Sequence, residues 1–186
     1  MPRRYQINVL VQHEDNKEPV VVEENPNYHT LFGYVEHVTY KGTVFTDYSL
    51  IRSGCLHRAN GGYLLIDAIK VLEQPFVWDG LKRALRSREL QINSLEREVT
   101  LSGTISLEPE PIPLDVKIIL FGDRETYLLL QNYDPEFQEL FKVTADFENE
   151  MSRTKDSQIQ YAKFISSLVH EKQFLHCDRK AIARII

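Results

Sequence analysis

One carboxylate stands out by its placement. His57-Arg58-Ala59-Asn60-Gly61-Gly62 leads into the apolar run Tyr63-Leu64-Leu65-Ile66, which ends on Asp67-Ala68. A glycine pair followed by an apolar run predicts a buried strand. This one delivers an acid to its C-terminal edge, where open α/β sheets bind their ligands. A carboxylate so placed can hold a magnesium ion that bridges phosphates. The stretch Val116-Lys117-Ile118-Ile119-Leu120-Phe121-Gly122-Asp123-Arg124 repeats the arrangement. Each acid also has a simpler reading. Asp67 can cap the helix that follows it, and Asp123 can cap its helix while Arg124 makes a surface ion pair.

Elements that could position these acids are legible on both sides. Tyr5, Ile7, Val9 and Val11 alternate with polar residues and predict a half-buried strand over 5–11. Pro19-Val20-Val21-Val22 is a short β-branched run, and Asn25-Pro26-Asn27 signals a turn. Residues 38–52 are rich in Thr, Tyr, Val and Phe around Gly42 and read as a hairpin or a loop. Val77, Leu81, Ala84 and Leu85 recur at helical spacing, with Pro75 suited to the first turn. Residues 90–107 alternate again and predict a β-hairpin with an irregular tip. Glu108-Pro109-Glu110-Pro111-Ile112-Pro113 can be neither helix nor central strand, because proline lacks the donor. Asp134-Pro135 is expected to cap a helix; Tyr161, Ile165, Leu168 and Val169 stripe a longer one. Asp178 heads a last helix through Ala181, Ile182, Ile185 and Ile186. Buried strands that each end in an acid and precede a helix imply a parallel α/β sheet.

The chain of 186 residues can bury one sizeable core, with room for a small appended piece. With 22 basic and 27 acidic residues its net charge is -5, which disfavours non-specific nucleic-acid binding by the domain as a whole. Cys55 and Cys177 fit neither a metal spacing nor a disulfide framework, so a reducing cytoplasm is expected. His13, His29, His37, His57, His170 and His176 show no ligand spacing. No apolar run is long enough for a membrane helix, and no apolar signal segment follows Met1-Pro2-Arg3-Arg4-Tyr5. The strand expected at once at one end and the apolar helix cut mid-pattern at the other suggest a piece of a longer protein.

Several of these stretches belong together. They are Pro19-Val20-Val21-Val22, Leu31-Phe32-Gly33-Tyr34-Val35-Glu36-His37, and Gly54-Cys55-Leu56 running into the His57–Gly62 motif and the strand to Asp67. Leu81-Lys82-Arg83-Ala84-Leu85, the Glu108–Val116 proline segment, Tyr161-Ala162 and Asp178-Arg179 complete the set. In this combination the chain resembles the AAA+ module of Lon-like ATP-dependent proteases, specifically bacterial relatives of the archaeal B-type branch. The resemblance implies an AAA+-like P-loop NTPase sheet flanked by helices, with a β-hairpin insertion and the start of a helical lid. It places part of the large α/β subdomain in residues 1–150 and the beginning of the lid in 151–186.

The resemblance also implies roles. Asp67 falls at the Walker B aspartate that holds Mg2+, and Asp123 falls where sensor 1 faces the γ-phosphate of ATP. Two positions depart from the pattern: Ala68 stands where the water-activating Glu is usual, and Asp123 where Asn is more common. The phosphate-binding loop and the Ser–Lys protease dyad are not in this sequence; the family carries them upstream and downstream. The implied parent is an ATP-dependent serine endopeptidase of the cytoplasm, a homo-oligomeric, hexameric ring acting on protein substrates without membrane or nucleic acid. Tyr40-Lys41-Gly42-Thr43-Val44-Phe45 would be a pore loop whose aromatic grips substrate, or else a hairpin with half-buried rings. Lys82, Arg83, Arg86 and Arg88 would form a solvated helix face, a contact with a ring neighbour, or a DNA contact. Arg179 is not read as the sensor 2 arginine, which would lie beyond Ile186. Ala68 keeps a second reading open: a degenerate AAA+ scaffold that assembles and admits substrate without hydrolysing ATP. A regulator in the style of AAA+ transcription activators ranks last, because that family's fingerprint on the preceding helix is missing.

Overall fold

Short β-branched and apolar runs build the sheet, and the segments between them supply its cover. The computed structural model describes residues 7–13, 17–40, 43–92, 107, 109–148 and 150–185. The chain divides into two compact units between Lys142 and Val143. The first runs β1 (Val20–Glu23), α1 (Tyr28–Phe32), β2 (Tyr34–Val35), β3 (Val38–Tyr40), β4 (Thr43–Phe45), β5 (Ile51–Arg52), α2 (Cys55–Arg58), β6 (Tyr63–Asp67), α3 (Ala68–Glu73), α4 (Val77–Ser87), β7 (Glu89–Leu90), β8 (Ile112–Pro113), β9 (Lys117–Phe121), α5 (Arg124–Tyr133) and α6 (Phe137–Leu140). The second holds α7 (Lys155–Glu171) and α8 (Arg179–Ile185).

The expected α/β architecture is present. β1, β6 and β9 form a three-stranded parallel sheet with β6 at its centre. Val21 pairs with Leu64 and Leu64 with Ile118, so these three share one face with Ile66 and Leu120. Leu64 and Ile66 are fully buried there against Leu31 and Phe32 of α1, Cys55 and Leu56 of α2, Val71 of α3, and Val77 and Leu81 of α4. Each such side chain contributes about 1.5–3 kcal/mol relative to exposure. The opposite face carries Val20, Val22, Tyr63, Leu65, Ile119 and Phe121. Of these, Val20 and Val22 are 64% and 57% exposed.

Two glycine contacts bring the cover close to the sheet. A Cβ on Gly62 would lie 2.0 Å from the Pro19 carbonyl oxygen, where β6 starts beside β1. A Cβ on Gly54 would lie 2.2 Å from the Leu31 carbonyl oxygen, where α2 begins against the end of α1. Both separations are well inside van der Waals contact, so only glycine fits.

Three expectations change. Residues 7–11 are not a strand. Instead, Asn8 Nδ2 donates to the carbonyls of Tyr48 and Ile51, and Ser53 Oγ donates to the Leu10 carbonyl. Side-chain bonds therefore anchor a segment whose alternation suggested a ladder. Pro75 lies outside α4; Phe76 stands at the N-cap with a left-handed φ of 64°. The helix expected after Asp134-Pro135 is present as α6, but Glu136 is its N-cap; Asp134 is the C-cap of α5, accepts the Glu136 N–H, and reaches α4 with its other carboxylate oxygen.

The 38–52 region contains an antiparallel hairpin, β3 with β4, whose tip residues 41 and 42 lie outside the described residues. The 90–107 hairpin falls largely on residues 93–106, also outside them. Its base is seen as β7 paired with β8, Leu90 opposite Ile112. Pro113 is tolerated there because a two-stranded ribbon leaves an edge on each side. The longer helix is present as α7, though only Val169 is buried on it. Asp178 Oδ1 accepts the Ala181 N–H at 2.7 Å at the head of α8.

Candidate functional site

β6 and β9 run parallel and adjacent, with Asp67 opposite Phe121. Asp67 therefore ends its strand two residues short of the level of Asp123, on the same C-terminal edge of the sheet. Ala68 and Gly122 meet there: a Cβ on Gly122 would sit 3.4 Å from the Ala68 Cβ. Small residues at these two positions let the strand ends approach. The structure thus brings the two candidate acids to one edge, the C-terminal one, at which open parallel sheets bind ligands.

Both acids also cap helices. Asp67 Oδ1 accepts the N–H of Ile69 at 2.9 Å and that of Lys70 at 3.4 Å, starting α3. Asp123 Oδ1 accepts the Thr126 N–H at 2.7 Å, starting α5. The hydroxyl and N–H of Thr126 hold the Asp123 carboxyl below the usual carboxylate range, with a smaller push upward from burial. Capping uses Oδ1 in each case, which fixes the carboxylates in orientation.

Further residues, which sequence reasoning passed over, brace this edge. Lys70 Nζ donates to the Glu24 carbonyl at 2.6 Å, tying α3 to the end of β1. Arg58, the last residue of α2, lies 3.7 Å from Glu23 at the end of β1. Only the position of Lys70, one turn beyond the Asp67 cap, hinted at its place.

The opposite, N-terminal edge of the sheet is stapled by Asn60. Its Nδ2 donates to the Pro113 carbonyl at 2.9 Å and its Oδ1 accepts the Asp115 N–H at 2.8 Å. The Gly61 N–H in turn donates to the Asp115 carbonyl at 2.7 Å. His57 is 4% exposed, and its Nδ1 accepts the Gly54 N–H. Its Nε2 has no hydrogen-bond partner, and burial pushes the imidazole pKa down to about 4. His57 is therefore a neutral structural histidine. Cys55 is equally inert: its thiol donates to the Thr30 carbonyl, and burial pushes its pKa up to about 12.

Lys82 and Arg86 of the basic stretch are engaged within their own unit. Lys82 Nζ lies 3.0 Å from Asp134 Oδ2 and 3.3 Å from Asp79, and Arg86 pairs with Glu136. The Trp78 indole N–H donates to the same Asp134 oxygen at 2.6 Å. Trp78 also stacks on Phe141, and Phe141 on Phe137. Burial raises the Asp134 pKa, but the bonds from Lys82, Trp78 and the Glu136 N–H outweigh it and hold the carboxyl below its ordinary value.

Among the described residues no group of three or more His, Cys, Asp or Glu side chains is placed to hold a metal ion. No helix among them is long and apolar enough to cross a membrane.

Comparison with known proteins gives a consistent neighbourhood. The family model described as "LonB-like, AAA domain" matches residues 16–148. A Lon protease homolog of Escherichia coli (strain K12) is 29% identical over 99 residues, covering 53% of this chain and 16% of that protein. The archaeal Lon proteases of Thermoplasma acidophilum and Thermoplasma volcanium are each 22% identical over 187 aligned residues, covering 96% of this chain and 27% of theirs. The chain thus spans about a quarter or less of the length of these curated relatives.

Proposed function

Because the chain belongs to the family of LonB-like AAA domains, we propose that it is part of the nucleotide-driven module of a longer, Lon-type, ATP-dependent serine protease. The observation that carries this reading is the pair of acids at the ends of adjacent parallel strands β6 and β9. In this reading Asp67 holds Mg2+ and Asp123 faces the γ-phosphate of ATP. The donor set fits such an ion: Mg2+ keeps several waters and takes one or two carboxylates together with substrate phosphates. Asp67 offers one oriented carboxylate, whose Oδ2 is not used in capping. Bound Mg2+ would neutralise phosphate charge there. Asp123, ionised throughout the physiological range, puts a negative charge beside that position. The exposed Arg124 next to it can offset the charge.

The remaining roles concern the parent protein. The β3–β4 hairpin contacts protein substrate, the subunits assemble as a homo-oligomeric, hexameric ring in the cytoplasm, and a Ser–Lys dyad outside these residues cleaves peptide. Residues 151–186 contribute to the helical lid.

Ala68 supports a second reading, a degenerate AAA+ scaffold that assembles rings and admits substrate without hydrolysing ATP. It is buried at the head of α3, where ATP hydrolysis in the first reading calls for a water-activating acid. Titration of the full-length parent with Mg-ATP, alongside Asp67→Ala, tests both. A loss of affinity of at least tenfold in the variant supports the magnesium role; equal affinity and equal turnover refute it. Tight binding with no turnover in the unmodified parent selects the scaffold.

A further inference from the structure

The β3–β4 hairpin takes its direction from its root. It is a two-stranded sheet of its own, paired with no further strand among the described residues. Such a ribbon is marginally stable in isolation. Val38 and Phe45 stand opposite each other across it and are 39% and 46% exposed. The root is the β2–β5 pair, where Tyr34 meets Arg52 and Val35 meets Ile51. Around it the Glu36 N–H donates to the Leu50 carbonyl, and Arg52 pairs with Glu36 at 2.9 Å. Thr46 Oγ1 donates to the Glu36 carbonyl at 3.1 Å. Between β4 and β5 the returning limb makes one 3-10 turn, Tyr48–Leu50.

One side chain from a distant part of the chain closes that turn. Asn8 precedes β1 and lies forty positions from Tyr48. A side-chain amide carries two N–H donors. Asn8 Nδ2 donates to the Tyr48 carbonyl at 2.9 Å and to the Ile51 carbonyl at 3.2 Å. The Tyr48 carbonyl also accepts the Ile51 N–H, so the amide sits across both ends of the turn. The same segment continues beside the chain that leaves β5. Ser53 Oγ donates to the Leu10 carbonyl at 2.9 Å, and His13 Nε2 lies 3.0 Å from the Arg58 carbonyl oxygen. Residues 8, 10 and 13 thus follow residues 48–51, 53 and 58 in step. Segment 7–13 is a strap laid from the hairpin's root to the end of α2, from which the chain turns into β6.

We propose that Asn8 is a positioning residue for protein substrate: it fixes the turn at the hairpin's root and so aims Val38 and Phe45 at the polypeptide. The proposal rests on the reading that the β3–β4 hairpin contacts substrate. The strap, rather than the hairpin's own strands, then decides where the apolar pair stands.

The probe is fluorescein-labelled casein, and its binding to the full-length parent is read by anisotropy with Mg-ATP present. Asn8→Asp keeps the size of the side chain but sets a carboxylate against the Tyr48 and Ile51 carbonyls. It should weaken casein binding at least tenfold, while Mg-ATP affinity on the same samples stays within twofold. Asn8→Ala removes the two bonds without adding charge and should weaken casein binding at least threefold. Casein affinity within twofold of the unmodified parent in both variants overturns the proposal. A parallel loss of casein and Mg-ATP affinity also overturns it, since that marks general damage to the fold. Phe45→Ala separates the two readings. If it weakens casein binding and Asn8→Asp does not, the proposal alone falls. If it has no effect, the substrate reading falls and takes the proposal with it.

Discussion

At the scale of single residues, Asp123 and His57 make separable predictions. Asp123→Ala removes the α5 cap and should cost about 1 kcal/mol, whereas Asp123→Asn keeps an N-cap acceptor and should leave the melting temperature nearly unchanged. If Asp123 repels the γ-phosphate, the Asn variant should also bind Mg-ATP more tightly in the full-length parent. Unchanged affinity in the Asn variant would make Asp123 a cap and nothing more. His57 ties stability to acidity. Its ordinary pKa of 6.5 falls to about 4 in the fold, so the unfolded chain binds more protons between those values. Stability is therefore full above about pH 6.5 and falls as the pH drops toward 4, by roughly 3 kcal/mol in all. Denaturant titrations across that range should show the slope. His57→Phe should flatten it, while costing stability at neutral pH because the Gly54 N–H loses its acceptor.

Elements depend on close backbone approaches and on one long-range polar knot. Gly54→Ala and Gly62→Ala each place a methyl against a carbonyl oxygen, and both should destabilise by about 2 kcal/mol or more. Gly61→Ala meets open space but forces a φ of 84°, so about 1 kcal/mol is expected from the backbone alone. Thermal melts of the three variants should keep that order. Asp134→Ala strands the Trp78 indole N–H and leaves the Lys82 ammonium with Asp79 alone, and should cost about 1–3 kcal/mol. It should also change the emission of Trp78, the single tryptophan. The strands were legible because β6 and β9 are continuous apolar runs and β1 is β-branched. The Asp67 and Asp123 placements followed from those runs. The Asp134 knot was not legible, because Trp78 and Asp134 lie fifty-six positions apart and neither has a local pattern. Residues 7–11 misled because alternation records which side chains face inward, not whether the backbone pairs. Here Asn8 and Ser53 replace the ladder.

For the molecule as a whole, the one-sided sheet dominates. With an apolar face left in water, these 186 residues produced alone should associate as concentration rises. Phe121→Lys and Ile119→Lys should weaken that association, and sedimentation velocity over a concentration series would register it. The other edge of the sheet bears on how the protein ages. Asn60-Gly61 is the dipeptide most prone to deamidation, in which the glycine nitrogen attacks the asparagine side chain and ammonia leaves. In the folded chain the attacking nitrogen is already bonded to the Asp115 carbonyl, and the departing amide to that of Pro113. The staple that holds β6 beside β9 thus shelters its own weakest covalent point. Spontaneous damage there should track time spent unfolded, and the aspartate or isoaspartate left when the succinimide hydrolyses would replace the amide donor to the Pro113 carbonyl with a carboxylate and loosen the fold further.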